Sequence, residues 1–138
     1  MLRGPILIVE DDLEDQEIMR EVFDELQISN ELKFFTNGNA VLEFLRATKE
    51  KPFLIITDIN LHGLNGLELR EEIMKDELLR KKSIPFIFLS TSDGKQIIEK
   101  VYELQVQGYF QKQTSFGAIK EQVKLIVAYW QACRHPNS

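Results

Sequence analysis

The sequence predicts an α/β fold: a doubly wound, five-stranded parallel sheet in the order 2-1-3-4-5, with helices on both faces in three layers. Two observations predict it. Short apolar runs of strand length alternate with segments of helical periodicity along the whole chain. Charged or hydroxyl side chains also follow four of these runs, as expected where the carboxyl ends of parallel strands meet at one edge of a sheet.

The first half of the chain begins with a predicted strand at residues 6–9 and a helix at residues 13–27. The inward face of that helix is predicted to carry Leu13, Ile18, Val22, Phe23 and Leu26. Residues 32–36 read as the second strand, and Asn37 and Gly38 open the second helix. Its predicted buried residues are Ala40, Val41, Phe44 and Leu45.

The third strand is predicted at residues 53–57, directly before Asp58, and a loop at residues 59–65 leads into the third helix. That helix is predicted to bury Leu67, Leu69, Ile73 and Met74. The charge-rich residues 75–83 are interpreted as a solvated helix end and loop.

The second half continues with a fourth strand at residues 85–90, after which Asp93 is expected to cap the fourth helix. The inward residues of that helix are predicted to be Ile97, Ile98, Val101 and Leu104. A short fifth strand at residues 108–111 precedes a fifth helix, capped by Ser115 and extending to about residue 133. Its apolar side is predicted to contain Phe116, Ile119, Val123, Ile126, Val127 and Trp130.

Length and composition favour a single domain over residues 1–138. The net charge of −5 argues against nucleic-acid binding, which usually needs a basic face. The amino-terminal residues carry neither a signal peptide nor a membrane span, and a lone cysteine, Cys133, fits a reducing compartment. The expected location is therefore the cytoplasm, with no membrane partner.

Acidic side chains follow two strands that flank the predicted switch point of the sheet. Glu10 and Asp11 come after the first strand and Asp58 after the third, so Asp11 and Asp58 should lie side by side. Clustered carboxylates repel one another unless a cation neutralises them, and Mg²⁺ prefers such oxygen ligands. The pattern predicts a magnesium site beside Asp58, with Lys112 following the fifth strand at the same edge.

Four segments in this order and spacing resemble the receiver domain of bacterial two-component response regulators. They are residues 6–12 (ILIVEDD), residues 57–61 (TDINL) with Asn65 and Gly66, residues 90–92 (STS) and residues 108–112 (GYFQK). The resemblance runs from about residue 5 to residue 127 and implies a flavodoxin-like fold. The segments around residues 76–80 and 89–92 are similar to stand-alone, CheY-like regulators that partner phytochromes.

For the metal and the phosphate, the resemblance implies that Asp58 is the phosphoacceptor. A sensor histidine kinase or a phosphotransfer protein would supply the phosphoryl group. Asp11, Asp58 and the backbone carbonyl of Asn60 would bind Mg²⁺, and Glu10 would act mainly through water. The protein would then be a signalling protein rather than an enzyme, catalysing only its own phosphotransfer and dephosphorylation.

For the switch, the resemblance implies that Lys112 pairs with a phosphoryl oxygen and that Ser90 moves toward the phosphoryl group. Tyr109 would follow Ser90, exposed in one state and tucked inward in the other. The partner surface would be the face of the fourth helix, fifth strand and fifth helix, which binds an unknown downstream protein. A homodimer through the last helix, with Trp130 packed on the core or on a partner, is the further possibility.

The sequence departs from the family pattern at two positions. His62 stands where the family usually has proline, and is interpreted as an exposed loop residue that could instead titrate or contact a partner. Gln113 stands where the family has a cis-proline after the lysine; the Lys112–Gln113 bond is expected to be trans, which could shift Lys112. In the family, the side chains two residues beyond the phosphoacceptor and beyond the switch hydroxyl influence the access of attacking water. Here these are the small polar residues Asn60 and Ser92, so the resemblance implies measurable self-dephosphorylation.

Two other functions compete with the phosphorylation switch. A pseudo-receiver would use the same fold as an interaction module without phosphorylation, and the acidic set, Ser90 and Lys112 argue against it. A Mg²⁺-dependent phosphohydrolase usually needs a second acid/base aspartate, whereas Asn60 stands two residues beyond Asp58.

Overall fold

The computed structural model describes residues 4–137, which form a five-stranded parallel sheet in the order β2-β1-β3-β4-β5. The strands are β1 (Ile6–Val9), β2 (Leu32–Phe35), β3 (Leu54–Thr57), β4 (Phe86–Ser90) and β5 (Gly108–Gln111). The helices are α1 (Leu13–Glu25), α2 (Gly38–Ala47), α3 (Gly66–Lys75), α4 (Glu77–Lys82), α5 (Lys95–Glu103) and α6 (Phe116–Ala132). The predicted α/β fold and strand order are therefore confirmed.

Side chains alternate between the two faces of the sheet, as the pleat requires. In β1, Leu7 and Val9 pack toward α2 and α3, whereas Ile6 and Ile8 pack toward α1 and α6. The three central strands are buried on both faces, which explains why they read as continuous apolar runs. Within residues 4–137, no helix is long and apolar enough to cross a membrane.

The register of the central strands brings their carboxyl ends to one level. Val9 at the end of β1 pairs with Thr57 at the end of β3 and with Phe35 at the end of β2. The ladder continues one step further, because the N–H of Glu10 donates to Phe35 and the N–H of Asp58 donates to Val9. Glu10 and Asp58 therefore leave the sheet side by side.

Residues 75–83, which were predicted to be a solvated helix end and loop, contain a helix that the sequence did not predict, α4. Asp76 ends α3 and caps α4, because its carboxylate accepts the N–H of Leu79 at 3.2 Å. Leu79 is only 3% exposed and joins the core, and the ammonium of Lys82 caps carbonyl groups at the end of α2. The prediction was wrong here because a single buried apolar residue among charged ones gives no periodic pattern. The helices predicted as the fourth and fifth are therefore α5 and α6.

Three smaller predictions about the helices were also wrong. Asp93 does not cap α5, which begins after Gly94 with no side-chain cap. Leu13 is 72% exposed, since Asp12 caps α1 directly before it and the first turn lies beyond the apolar stripe. Ile98 is 43% exposed, because α5 packs thinly and buries only Val101 fully.

Arg70 of α3 anchors the opposite end of α5. Its buried guanidinium lies 5.2 Å from the ring centroid of Phe86 and donates to the carbonyls of Leu104 and Gln105 at 2.9 and 2.8 Å. These carbonyls close the carboxyl end of α5, where a cation is favoured by the helix dipole. α5 is therefore held at its end and left without a cap at its start.

The residues after α6 fold back onto the lower edge of the sheet. His135 is buried, stacks on Phe53 at 4.7 Å between ring centroids, and its Nε2 lies 2.7 Å from the carbonyl of Phe53. The N–H of Asn137 donates to Nδ1 of His135 at 2.9 Å, so Nε2 must carry the ring proton. Trp130, packed edge-on to His135, joins the same cluster.

Candidate functional site

Asp58 lies at the end of β3, between β1 and β4. Its Oδ1 accepts the Ser90 hydroxyl at 2.5 Å and the N–H of Asn60 at 3.1 Å. Gly66, in the first turn of α3, comes so close that a Cβ there would lie 2.4 Å from the Asp58 carbonyl oxygen. The backbone around Asp58 is therefore confined by neighbours on three sides.

Ser90 links the ends of β3 and β4. Its side chain is fully buried, and besides donating to Asp58 its Oγ accepts the N–H groups of Ile59 and Ser92 at 3.4 and 3.3 Å. Next to it, the side-chain amide of Asn60 donates to the Ser92 hydroxyl at 2.6 Å. This hydrogen bond joins the two loops beside the Asp58 carboxylate.

Lys112 reaches the site from the end of β5, where its N–H donates to the carbonyl of Ser90 at 2.8 Å. Its side chain is 9% exposed, and its ammonium lies 3.5 Å from Oε1 of Glu10 and 3.6 Å from Oδ2 of Asp15. It lines the same small cavity as Glu10 and Asp58, although its ion pairs in the described part of the chain are with Glu10 and Asp15.

Asp15 and Gln16 are site residues that sequence reasoning missed. Asp15 pairs with Lys112 from the first turn of α1, where an acidic residue is already explained by the helix dipole. Gln16 is buried and donates to the carbonyl of Glu10 at 2.7 Å. Asp12, by contrast, only caps α1 through the N–H groups of residues 14 and 15. The one signal in the sequence was Gln16, a polar residue at a helical position that faces the core.

Glu10 is an unusual carboxyl group because it is 5% exposed. Burial raises its pKa to about 7, and the Asp58 and Asp15 carboxylates add to the rise. The N–H of Asp12 and the Lys112 ammonium oppose it. The shift comes chiefly from burial, so Glu10 is a carboxyl group shielded from water beside the Asp58 and Asp15 carboxylates.

His62 folds back onto the site instead of pointing into solvent alone. Although its side chain is 96% exposed, Nδ1 lies 2.6 Å from Oδ2 of Asp11, and the His62 N–H donates to the same oxygen at 3.1 Å. Since a carboxylate only accepts hydrogen bonds, Nδ1 carries a proton in this contact. The proline usual in the family would offer neither donor.

The donor set fits a magnesium ion with few protein ligands. In residues 4–137 no three His, Cys, Asp or Glu side chains are already grouped for a metal. Mg²⁺ commonly uses one or two carboxylates and keeps several waters, so Asp11 and Asp58 with the Asn60 carbonyl would suffice. The observation that favours a cation here is that the Glu10 and Asp58 side chains line one small cavity at the sheet edge.

Tyr109 on β5 is turned inward. Its ring packs edge-on against Phe88 with centroids 6.4 Å apart, and its hydroxyl is buried without a hydrogen-bond partner among residues 4–137. Burial raises the pKa of this phenol, and the Asp93 and Asp58 carboxylates raise it further. Tyr109 pairs with Phe88 of β4, and this one strand separates β5 from β3, the strand that leads into Asp58.

The sequence matches the family model of the response regulator receiver domain over residues 6–124. The chain belongs to this family. Receiver domains are signalling proteins of two-component systems, regulated by phosphorylation. The peptide bonds of this receiver domain are all trans within residues 4–137, including the one between Lys112 and Gln113.

Among related receiver domains, the response regulator Rcp1 of Synechocystis is 32% identical over 130 residues, which cover 91% of this chain and 87% of Rcp1. The crystal structure of Rcp1 in its Mn(2+)-bound form has a TM-score of 0.83 at 29% identity, covering 96% and 99% of the two chains. The phosphorylated cyanobacterial phytochrome response regulator RcpA has a TM-score of 0.84 at 29% identity, covering 95% and 96%.

Proposed function

We propose that this receiver domain accepts a phosphoryl group on Asp58 from a sensor histidine kinase or a phosphotransfer protein, in a Mg²⁺-dependent reaction. The observation that carries the proposal is the position of the Asp58 carboxylate at the sheet edge. It accepts a hydrogen bond from Ser90 and lines the same small cavity as Glu10 and Lys112. Relatives support it, since Rcp1 binds Mn(2+) in its crystal structure and RcpA is phosphorylated in its own.

An Asp58 carboxylate oxygen attacks the phosphorus of a phosphohistidine; the P–N bond breaks and the new P–O bond makes an acyl phosphate. Negative charge on the phosphoryl oxygens is met by the Lys112 ammonium, which turns from Asp15, and by the Ser90 hydroxyl. Asp11, Asp58 and the Asn60 carbonyl would hold Mg²⁺, with Glu10 acting through water. Bound there, the cation would neutralise charge on the transferring group.

Output would pass through the face of α5, β5 and α6. When Ser90 leaves Asp58 for the phosphoryl group, Tyr109 shifts between two packings, which biases this face without changing the fold. The face already holds a mostly apolar groove of about 470 Å³. Its lining includes Tyr102, Phe110, Leu125, Tyr129 and Trp130. The downstream protein, a homodimer and the cytoplasmic location stay predictions.

The test is intact-mass spectrometry after incubation with Mg²⁺ and acetyl phosphate. One added phosphoryl group is expected on the wild-type protein and on Asp93→Asn, which removes an exposed carboxylate of the neighbouring loop. Asp58→Asn should remain unlabelled, and EDTA should prevent labelling of every protein. Labelling of Asp58→Asn, or no labelling of the wild type with Mg²⁺ binding confirmed, would count against the proposal.

A pseudo-receiver remains the second candidate because charged side chains of the site are already paired with other groups of the protein. Asp11 is held by His62, and Lys112 is paired with Glu10 and Asp15. An interaction module of this kind would bind its partner equally well as wild type and as Asp58→Asn. A phosphorylation switch would lose its regulated binding in that variant.

A further inference from the structure

Gln122 of α6 forms hydrogen bonds with the backbone on both sides of Lys112. Its Nε2 donates to the carbonyl of Gln111 at 2.7 Å, and its Oε1 accepts the N–H of Gln113 at 3.2 Å. The N–H of Lys112 itself donates to Ser90. The backbone that carries the lysine is therefore fastened at three consecutive residues.

One of these two hydrogen bonds depends on the residue that follows Lys112. Gln113 has an N–H to donate, whereas proline, the usual residue of the family at this position, has none. Without proline the backbone after Lys112 would be free to choose among more conformations. The carboxamide of Gln122 restricts it from outside, since both of its polar ends are engaged with this one segment.

The position of Lys112 matters because its ammonium works at the end of a long, flexible side chain. Its burial, at 9% exposed, and its contacts with Glu10 and Asp15 are set by where the backbone leaves β5. A displacement of about 1 Å in a positioned group can cost up to about a hundredfold in rate. A residue that fixes this backbone can therefore act on the chemistry without contacting it.

We propose that Gln122 is a positioning residue for phosphoryl transfer, holding Lys112 in place of the proline that this chain lacks. The inference rests on the proposed phosphorylation of Asp58. Gln122 contacts no reacting atom and acts only through the segment of residues 111–113.

The decisive variant is Gln122→Met, which keeps the length of the side chain and loses both hydrogen bonds. The rate constant of Asp58 phosphorylation by acetyl phosphate at saturating Mg²⁺ is expected to fall about tenfold. Two controls lie beside it on α6. Glu121→Met changes an exposed neighbour, and Val123→Ala, at a fully buried position, loosens the packing of α6. Both should keep the rate within about twofold of wild type, because neither touches the segment of Lys112.

A second measurement tests the route through the lysine. In a Lys112→Met background, Gln122→Met should change the residual rate by less than about twofold, since an effect that acts through Lys112 disappears with it. Hydrogen exchange at the Gln113 amide should speed up in Gln122→Met and not in Glu121→Met.

An unchanged rate in Gln122→Met, or an equal loss in Val123→Ala, would overturn the inference. So would the same tenfold loss with and without Lys112. Failure of the proposed function looks different: the wild-type protein itself would then show no phosphorylation, before any variant is compared.

Discussion

At the scale of single residues, two opposing effects act on the inward position of Tyr109, the proposed switch residue. Its hydroxyl is buried without a partner among the described residues, an arrangement that costs free energy. The same ring gains an edge-on contact with Phe88. The inward position is therefore favoured by packing and opposed by the hydroxyl, a balance that the proposed switch would need.

Tyr109→Phe is expected to raise the free energy of unfolding by up to about 1 kcal/mol, because it removes the unsatisfied hydroxyl and keeps the ring contact. Urea denaturation with an unchanged m value would measure it. Tyr109→Leu, which loses the ring, serves as the control and should destabilise. A loss of stability in Tyr109→Phe would show that the hydroxyl is satisfied in solution.

His62 should compete with the metal. A cation bound by Asp11 must share or displace the donors on Oδ2, so weaker donors mean tighter binding. His62→Ala removes the ring, and His62→Pro removes the N–H as well. We expect the Mg²⁺ dissociation constant to fall about fivefold in the first and further in the second, consistent with about 1 kcal/mol per hydrogen bond. Calorimetric titration measures both, and weaker binding in either would instead make His62 a support for the metal site.

Among the elements, α3 packs directly against the backbone of Asp58 because Gly66 has no side chain. A Cβ on Gly66 would meet the Asp58 carbonyl oxygen at 2.4 Å and the Phe88 ring at 2.8 Å. Backbone cannot yield as a flexible side chain does, so Gly66→Ala should lower the free energy of unfolding by about 1–3 kcal/mol. In α6, Gly117 has nothing within 4 Å of such a Cβ, and Gly117→Ala should stabilise by up to about 1 kcal/mol. Thermal unfolding of the two variants gives opposite shifts; equal shifts would contradict this packing.

The sequence predicted elements well where apolar residues form a continuous run or recur with a helical period. β1, β3 and β4 were recognisable because both faces are buried, and the parallel order predicted that the polar residues at their ends meet at one edge. α4 was missed because it is anchored by one residue, Leu79, among charges. The contacts of Asp15 and Gln122 join residues far apart in the chain, where no local pattern reports which partner a polar side chain will choose.

At the scale of the whole molecule, His135 closes the end of the chain onto the lower edge of the sheet, opposite the site. Burial lowers the pKa of this imidazole, although the Phe53 carbonyl opposes the change. Protonation would turn Nδ1 into a donor facing the N–H of Asn137. Packing around the ring comes from Phe53 and Trp130, which carry no charge to offset a cation.

The stability of the domain should therefore fall in mild acid. Because the pKa of His135 is lower in the folded than in the unfolded state, its contribution is complete above its ordinary value of about 6.5. That contribution is lost as pH falls through the lower folded value. In His135→Asn the free energy of unfolding should depend less on pH between about 7 and 5, whereas Gly117→Ala, which changes no titratable group, should retain the wild-type slope in this range. Equal slopes in wild type and His135→Asn would contradict the buried neutral imidazole.

The hydrogen bonds of Gln122 to the backbone around Lys112 also have an evolutionary consequence. A restraint usually built into one residue is here shared between positions 113 and 122, nine residues apart. A lineage that regains proline at 113 loses the N–H that Gln122 accepts and is released from keeping glutamine there. The two positions should therefore covary among descendants of this chain, although neither contacts the reacting atoms.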